Sequence, residues 1–526
     1  MFPCREAGKL NKNGFSCRFP RASIHRLTHP TMRFDIALLY LLLGTAVISA
    51  GPEPEKKPEA AAPAPAPVVR NAEIVIDGNK VPYSVSTGKL QLKQDDGKSK
   101  ASIFHVSYVR TDVKDVSNRP VMFAFNGGPG SSAVWLHIGV LGPKIIHLPG
   151  DGAQAPKPPV RVEDNPLSIL DVCDLVFVDP VSTGYSRVEN DGKPGDFHGV
   201  NEDVESIGDF IRRWITEHGR WTSPKYLLGE SYGGVRVAGL SQHLQSRYGM
   251  NLNGVVLMSS LLDFATLQTS PGSDLGYLSF LPSFTGVAHF HKKIHGDRDA
   301  LIKESSDFAF GEYASALLKG NALLTVERKV IAAKLARLTG ISAETWLAHD
   351  LRIDPSFFRV ELLRTEGKLL GRFDARVSWD TTDKTSQSSD YDPSFSIAYG
   401  AFSSAMMDYL GTDLGYKEDQ PYELLTGVGP WRWNAENAIV NVSDRLCTAM
   451  RDNPHLRVLV MTGRTDLATP PEGLAYSVRH MLELPESARG NITTTRYEGG
   501  HMFYLNPPDL AKTRKDLVEF IRSGKP

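Results

Sequence analysis

A short apolar run, Tyr226-Leu227-Leu228, leads directly into Gly229-Glu230-Ser231-Tyr232-Gly233, and a stretch of helical spacing rich in small residues, Val235 to Tyr248, follows. A strand that must become a helix within so few residues constrains this chain more than any other feature. The turn is sharp, its central serine is held in a strained conformation, and the flanking glycines let neighbouring backbone pass closely. Such a turn exposes the Ser231 hydroxyl above a sheet. It also aims backbone N–H groups at whatever the serine attacks, aided by the helix N-terminus. G-x-S-x-G is a weak signal alone. With a strand before it and a helix after it, the motif makes Ser231 the expected nucleophile rather than part of a glycine-rich turn.

A neutral serine needs a base, and the base needs an orienting carboxylate. On a strand-turn-helix scaffold of this kind they follow the serine in the order acid, then histidine, at the ends of later strands. Arg457 to Met461 reads as a strand whose exit, Thr462-Gly463-Arg464-Thr465-Asp466, puts Asp466 in a loop. Thr493 to Tyr497 reads as a last strand whose exit, Glu498-Gly499-Gly500-His501, puts His501 beside two glycines. Among fifteen histidines, His501 alone has the right order, a strand exit and a flexible glycine pair. An oxyanion hole needs a further backbone donor from the loop after an earlier strand. Asn126-Gly127-Gly128-Pro129-Gly130-Ser131-Ser132 follows the strand Pro120 to Phe125 and supplies such a loop. No GK[ST] follows, which excludes a phosphate loop.

The remaining pattern sets the architecture. Asn71–Ile76 and Lys80–Ser86 flank Asp77-Gly78-Asn79 and predict a hairpin, and Ala101–Arg110 alternates as a further strand. Leu175–Val178, with the apolar runs above, suits buried strands of a mostly parallel sheet. Helical stretches such as Val204–His218 lie between them, and Pro508–Ser523 closes the chain. The expectation is an α/β class protein of doubly wound, mostly parallel sheet. Residues 264–433 break the alternation. They hold few strand-like runs, a helical stretch Asn321–Leu338 and a serine-rich loop Thr385–Ser389, and they read as a largely helical cap insertion. The core therefore comes in two parts, 68–263 and 434–526.

Residues 1–50 read as an N-terminal extension and signal peptide. Ile36–Val47 is nearly continuous apolar sequence, too short to span a membrane, and Ile48-Ser49-Ala50 offers a cleavage site before Gly51. Met32 is a plausible start. Residues 51–67 are a Pro/Ala-rich linker that cannot bury a core. A secreted or periplasmic enzyme, with no membrane anchor after signal cleavage, is the expectation. Beyond that segment only Cys173 and Cys447 remain, so at most one internal disulfide can form. The formal net charge of −1 gives no electrostatic reason to expect nucleic acid or an anionic membrane as partner.

Six segments in the order NGGPGSS (126–132), LGP (141–143), NPLSILDVCDLVFVDPVSTGYS (165–186), GESYGG (229–234), GRTDLATP (463–470) and EGGHM (498–502) together resemble the serine carboxypeptidases. The resemblance implies the α/β-hydrolase fold, a Ser231–Asp466–His501 triad, and an oxyanion hole from the N–H groups of Gly128 and Tyr232. It further implies Asn126 and Glu230 as ligands of the substrate's terminal carboxylate and Met502 near the leaving group. The substrates would be peptide or protein C-termini, with no cofactor. Glu230 suits this task only when protonated, since it can then donate a hydrogen bond to a carboxylate, and acidic pH favours that state. The chain departs from the family's pattern at three positions. Ala124 stands where a tryptophan is usual, Val140 where a glutamate is usual, and Ser131 where a cysteine is common. Two usual carboxylate-recognition side chains are thus absent, and a serine esterase or acyltransferase on the same scaffold is the alternative. A non-catalytic binding protein fits less well, because all three triad positions are intact. His289, His291 and His295 could present metal ligands, but lysines flank them and no acidic or cysteine partner is near, so no metal site is expected. Asn441-Val442-Ser443 and Asn491-Ile492-Thr493 match glycosylation sequons.

Overall fold

The computed structural model describes residues 66–94, 97–389 and 391–524. The apolar run 36–47, its cleavage site, Cys4, Cys17 and nearly all of the 51–67 linker lie outside the described residues. The first described segment is an antiparallel meander of β1 (Val68–Ile76), β2 (Asn79–Lys93) and β3 (Ser99–Arg110). Asp77 and Gly78 join β1 to β2 with φ of 49° and 76°. Two successive positive-φ residues are what a two-residue hairpin turn needs to match the strand twist.

Six strands form the parallel part: β4 (Val121–Phe125), β5 (Asp174–Val178), β6 (Lys225–Glu230), β7 (Gly254–Met258), β8 (Arg457–Gly463) and β9 (Ile492–Tyr497). The spatial order is β1-β2-β3-β5-β4-β6-β7-β8-β9, with Arg187–Val188 paired to β3 as a tenth strand among the described residues. β3 runs antiparallel to β5, and every pairing from β5 to β9 is parallel. The long helices, in chain order, are α1 (Val200–Glu217), α2 (Gly233–Tyr248), α3 (Leu275–Phe290), α4 (Arg298–Phe308), α5 (Thr325–Thr339), α6 (Pro393–Asp408), α7 (Ser443–Asp452) and α8 (Pro507–Arg522).

Strand periodicity divides the core. Met122, Leu175, Leu228, Met258 and Met461 face one side, with α6 and α8. Phe123, Val176, Leu227, Leu257 and Val460 face the other, with α1, α2 and α7. Both faces are covered, so these strands read as unbroken apolar runs rather than alternating ones. Residues from Tyr277 to Ala375 gather a third apolar cluster of their own, joined by Leu467. That cluster holds α3 and α5, and a hairpin of Lys368–Leu370 with Ser378–Asp380 adjoins it.

One detail differs from the sequence pattern, and another settles a point it left open. α5 starts at Thr325, not near Asn321, because the Glu327 carboxylate accepts the Leu324 N–H and fixes the first turn there. Cys173 and Cys447 are both free thiols, buried in clusters on opposite faces of the sheet.

β4 and β5 are tied at their starts by a buried ionic cluster. Asp174 Oδ2 accepts from Arg220 Nη1 at 2.7 Å, and Oδ1 accepts from Arg119 Nε at 3.1 Å and from the Arg110 N–H at 3.0 Å. All three charged side chains are buried. Removing the carboxylate strands two buried guanidinium groups, so Asp174→Ala should cost about 3–5 kcal/mol. Denaturant unfolding measures this, and a loss below about 1 kcal/mol would show that the cluster is not structural.

Candidate active site

The parallel register sets four loops along one sheet edge. Phe125, the last residue of β4, pairs with Gly229 of β6, so Asn126 just beyond β4 and Glu230 at the end of β6 stand side by side. Ser231 follows β6, Asp466 follows β8, and His501 follows β9, all at carboxyl ends of parallel strands. That edge is where open α/β sheets place their binding crevices.

Ser231 has φ of 61°, a left-handed conformation that costs a residue with a Cβ of order 1 kcal/mol or more. Two hydrogen bonds hold it: Ser231 N–H donates to Met258 O at 3.1 Å, and Gly234 N–H donates to Ser231 O at 2.9 Å. The loop after β4 presses against this turn. A Cβ on Gly127 would lie 2.5 Å from the Tyr232 nitrogen and 2.7 Å from Ser231 Cβ, so only glycine fits there. The backbones that carry the Gly128 and Tyr232 N–H groups therefore converge beside Ser231. The Tyr232 ring does not line the cavity; it packs 5.5 Å from Trp431 and lies under the Arg236 guanidinium.

Asp466 is fully buried, yet it is well supplied with donors. Oδ1 accepts the N–H groups of Ala468 and Thr469 at 2.7 and 2.9 Å. Oδ2 accepts His501 Nδ1 at 2.8 Å, with Thr469 Oγ1 also 2.8 Å away. With Nδ1 given to Asp466, Nε2 of His501 carries the lone pair. Burial pushes the His501 imidazolium down, but the charge and hydrogen bond of Asp466, helped by Glu230, outweigh it, and the net shift is upward.

Ser231, His501, Glu230, Asn126, Gly128 and Met502 line one cavity of about 240 Å³. Burial lifts the Glu230 carboxyl to about 7, against the pull of His501 and the hydrogen bond from Tyr504, with Asp466 adding to the rise. Tyr504 Oη donates to Glu230 Oε2 at 2.8 Å. Asn126 Oδ1 accepts the Leu136 N–H at 3.2 Å, whereas its buried Nδ2 has no partner of good geometry, although it is near enough to Glu230 to favour that group's charge. A buried amide donor without a well-formed partner, beside a carboxyl whose proton burial helps retain, is an arrangement suited to a carboxylate ligand. Of the departures, Ala124 and Val140 are buried in the apolar core, and Ser131 Oγ accepts from Trp135 Nε1 at 3.0 Å.

Sequence reasoning missed four contributors. Thr469 lies inside a segment already singled out and Tyr504 just after another, so nearness was the available signal. Arg236 donates to Asn126 O at 2.7 Å and to Asp203 at 2.8 Å, which fixes the loop after β4 from the helix behind the nucleophile. The fourth is the tip of the hairpin in the insertion, which is stitched to both catalytic loops. His501 N–H donates to Phe373 O at 2.5 Å, Leu467 N–H to Arg372 O at 3.1 Å, and Ala375 N–H to Thr465 O at 3.1 Å. Thr465 Oγ1 also reaches Asp374 at 2.8 Å. No local pattern announced this contact. The histidines of 289–295 lie elsewhere: His289 and His291 meet the carbonyls of Gly296 and Ala375 at 3.1 and 2.7 Å.

The chain is similar in sequence and fold to several known proteins. "Serine carboxypeptidase-like 8" of Arabidopsis thaliana is 25% identical over 185 residues, 34% of this chain and 40% of that protein. "Serine carboxypeptidase-like 36" of the same plant is 29% identical over 183 residues, 34% of each chain. The "Lysosomal protective protein" of Mus musculus is 26% identical over 165 residues, covering 31% of this chain and 32% of that one. The chain thus spans two fifths or less of the length of these curated relatives. Among solved structures, Kex1, described as a prohormone-processing carboxypeptidase from Saccharomyces cerevisiae, superposes with a TM-score of 0.53 over 84% of this chain and 91% of its own, at 15% identity, and shares the α/β-hydrolase fold. A sequence model described as serine carboxypeptidase matches residues 79–502, and on that match the chain belongs to the serine carboxypeptidase family.

Proposed function

We propose that the protein is a serine carboxypeptidase that releases C-terminal residues from peptides through an acyl-enzyme. The observation that carries this reading is the pairing, in one cavity with Ser231 and His501, of a carboxyl raised by burial and an amide donor without a partner. An exopeptidase must tell a free C-terminus from an internal peptide bond, and Asn126 with protonated Glu230 supplies two donors for that one carboxylate. Ser231 attacks the scissile carbonyl while His501 Nε2 takes its proton. Asp466 holds the imidazole and stabilises its charged form. The N–H groups of Gly128 and Tyr232 stabilise the oxyanion. His501 then protonates the departing amine, with Met502 beside it, and water completes hydrolysis in the reverse sense. An esterase or acyltransferase would use the same triad, and the buried Ala124 and Val140 favour that second reading.

We also propose that the enzyme is exported and processed near Gly51, which rests on the apolar run 36–47 and the small residues after it. Among the described residues, no helix is long and apolar enough to cross a membrane.

Ser231→Ala should lower kcat by about 10⁴–10⁶-fold with the fold retained. Retention of a tenth of the wild-type rate would exclude Ser231 as nucleophile.

The pH profile separates the two readings. Glu230 is neutral below about 7 and ionises above it, so peptide kcat/KM should decline on the alkaline side while a simple ester is spared. Glu230→Gln cannot ionise and should flatten that decline. Tyr504→Phe removes a bond that favours the carboxylate, so it should move the decline to higher pH. Identical peptide and ester profiles, unmoved by either substitution, would favour the esterase.

Mass spectrometry of exported protein should find an N-terminus near Gly51. A mature chain that retains residues 32–50 would instead indicate an uncleaved anchor.

A further inference from the structure

We infer that Arg372, at the tip of the hairpin in the insertion, receives a second carboxylate of the substrate, so that the enzyme favours peptides with aspartate or glutamate at one of the last two positions. This rests on the carboxypeptidase reading above and names its substrate class.

Among the described residues that line the cavity, Arg372 is the sole lysine or arginine. Its surroundings leave its charge largely unspent. The Asp392 carboxylate holds Oδ2, which has no hydrogen-bond partner, 4.0 Å from Nε, beyond hydrogen-bond reach, while Oδ1 accepts the N–H groups of Arg372 and Ser394 and the Ser394 hydroxyl. Arg359 is also 3.8 Å from Asp392, so two guanidinium groups share one carboxylate. Asp466 is matched by its own donors, and Glu230 is neutral below about 7. Among the described residues that line the cavity, Glu230 is therefore the one carboxyl that accompanies the Arg372 guanidinium.

The arginine is also held ready. Its guanidinium lies over the Phe373 ring at 4.5 Å, and that ring lies 5.1 Å from the His501 ring. The backbone on either side is fixed, through Asp392 and through Leu467. The side chain is about half exposed, so a ligand can reach it without a large rearrangement. The wall beside it is aromatic, with Phe373, Phe395 and Trp135, and offers a basic substrate side chain no carboxylate except Glu230. A planar fork stacked on an aromatic ring is suited to bidentate recognition of a carboxylate. The Asn126 and Glu230 pair takes the terminal α-carboxylate, and the acidic side chain is the second anion.

The test uses purified enzyme and two series of blocked dipeptides at about pH 6, where a glutamate side chain is charged. One series varies the C-terminal residue and the other the penultimate residue, each comparing Glu with its uncharged isostere Gln. Wild type should prefer Glu in one series, which identifies the position. Arg372→Gln should lower that Glu:Gln ratio of kcat/KM roughly three- to tenfold, as expected for a half-exposed charge-assisted contact. Arg372→Lys should keep part of the preference, and Arg372→Glu should shift it toward lysine. A wild-type ratio of one or less in both series overturns the inference. So does an equal loss on Glu and Gln peptides alike, which would assign Arg372 to the α-carboxylate. Cleavage of an ester but of no free-carboxylate peptide would instead bring down the carboxypeptidase reading itself, and this inference with it.

Discussion

The Asp466 carboxyl sits fully buried in the interior of the protein, and much of the surrounding structure is explained by what that burial demands. A buried carboxylate is tolerated only when its lone pairs are met. The loop after β8 folds back so that two of its own N–H groups point at Oδ1, and Thr469 and His501 meet Oδ2. The same requirement fixes the imidazole tautomer. The ring must stand between Asp466 and the cavity, so the loop after β9 must pass close to the insertion. A Cβ at Gly500 would lie 2.2 Å from Phe373 O, which explains the glycine before the histidine.

Glu230 and His501 share the cavity and influence each other's protonation. The imidazole draws Glu230 toward its charged form, and the carboxylate draws His501 toward its own. With one proton between them, two arrangements compete: a neutral pair and an ion pair. Only the neutral pair has both a base for Ser231 and a donor for a substrate carboxylate. Burial favours it, since two charges out of water are costlier than none. An arriving substrate carboxylate favours it further, because it repels an ionised Glu230. On the proposed mechanism, the ligand would help to set the protonation state in which it is hydrolysed.

What the sequence disclosed follows from how far each residue lies from its partner. Ser231 and Asp466 each leave a strand recognisable as an apolar run, His501 leaves the short strand before its glycine pair, and the strand order puts all three on one edge. The hairpin at Asp77-Gly78 was readable because two positions carry the whole conformational demand. The insertion was not readable in this way. Its core is built from Tyr277 to Ala375 among its own residues, with no period tied to the sheet. The placement of Arg372 and Phe373 beside His501 depends on main-chain hydrogen bonds between segments about 90 to 130 residues apart, and backbone groups leave no side-chain signature. The start of α5 was misplaced because a single capping carboxylate, Glu327, outweighed the helix-forming residues before it.

The hairpin tip has a consequence for how such a protein could diverge. Insertions over α/β sheets are often treated as interchangeable lids, free to be exchanged for new specificity. Here the hairpin tip accepts the N–H groups of Leu467 and His501 at its carbonyls and the Thr465 hydroxyl at the Asp374 carboxylate. A transplanted lid that lacked an equivalent tip would leave those backbone groups unmet and the imidazole unsupported. Recombination between relatives would therefore have to keep a short splice equivalent to 372–375 while the rest of the segment drifts, and a graft that ignored it would unsettle the loop of His501 before it gained a new pocket.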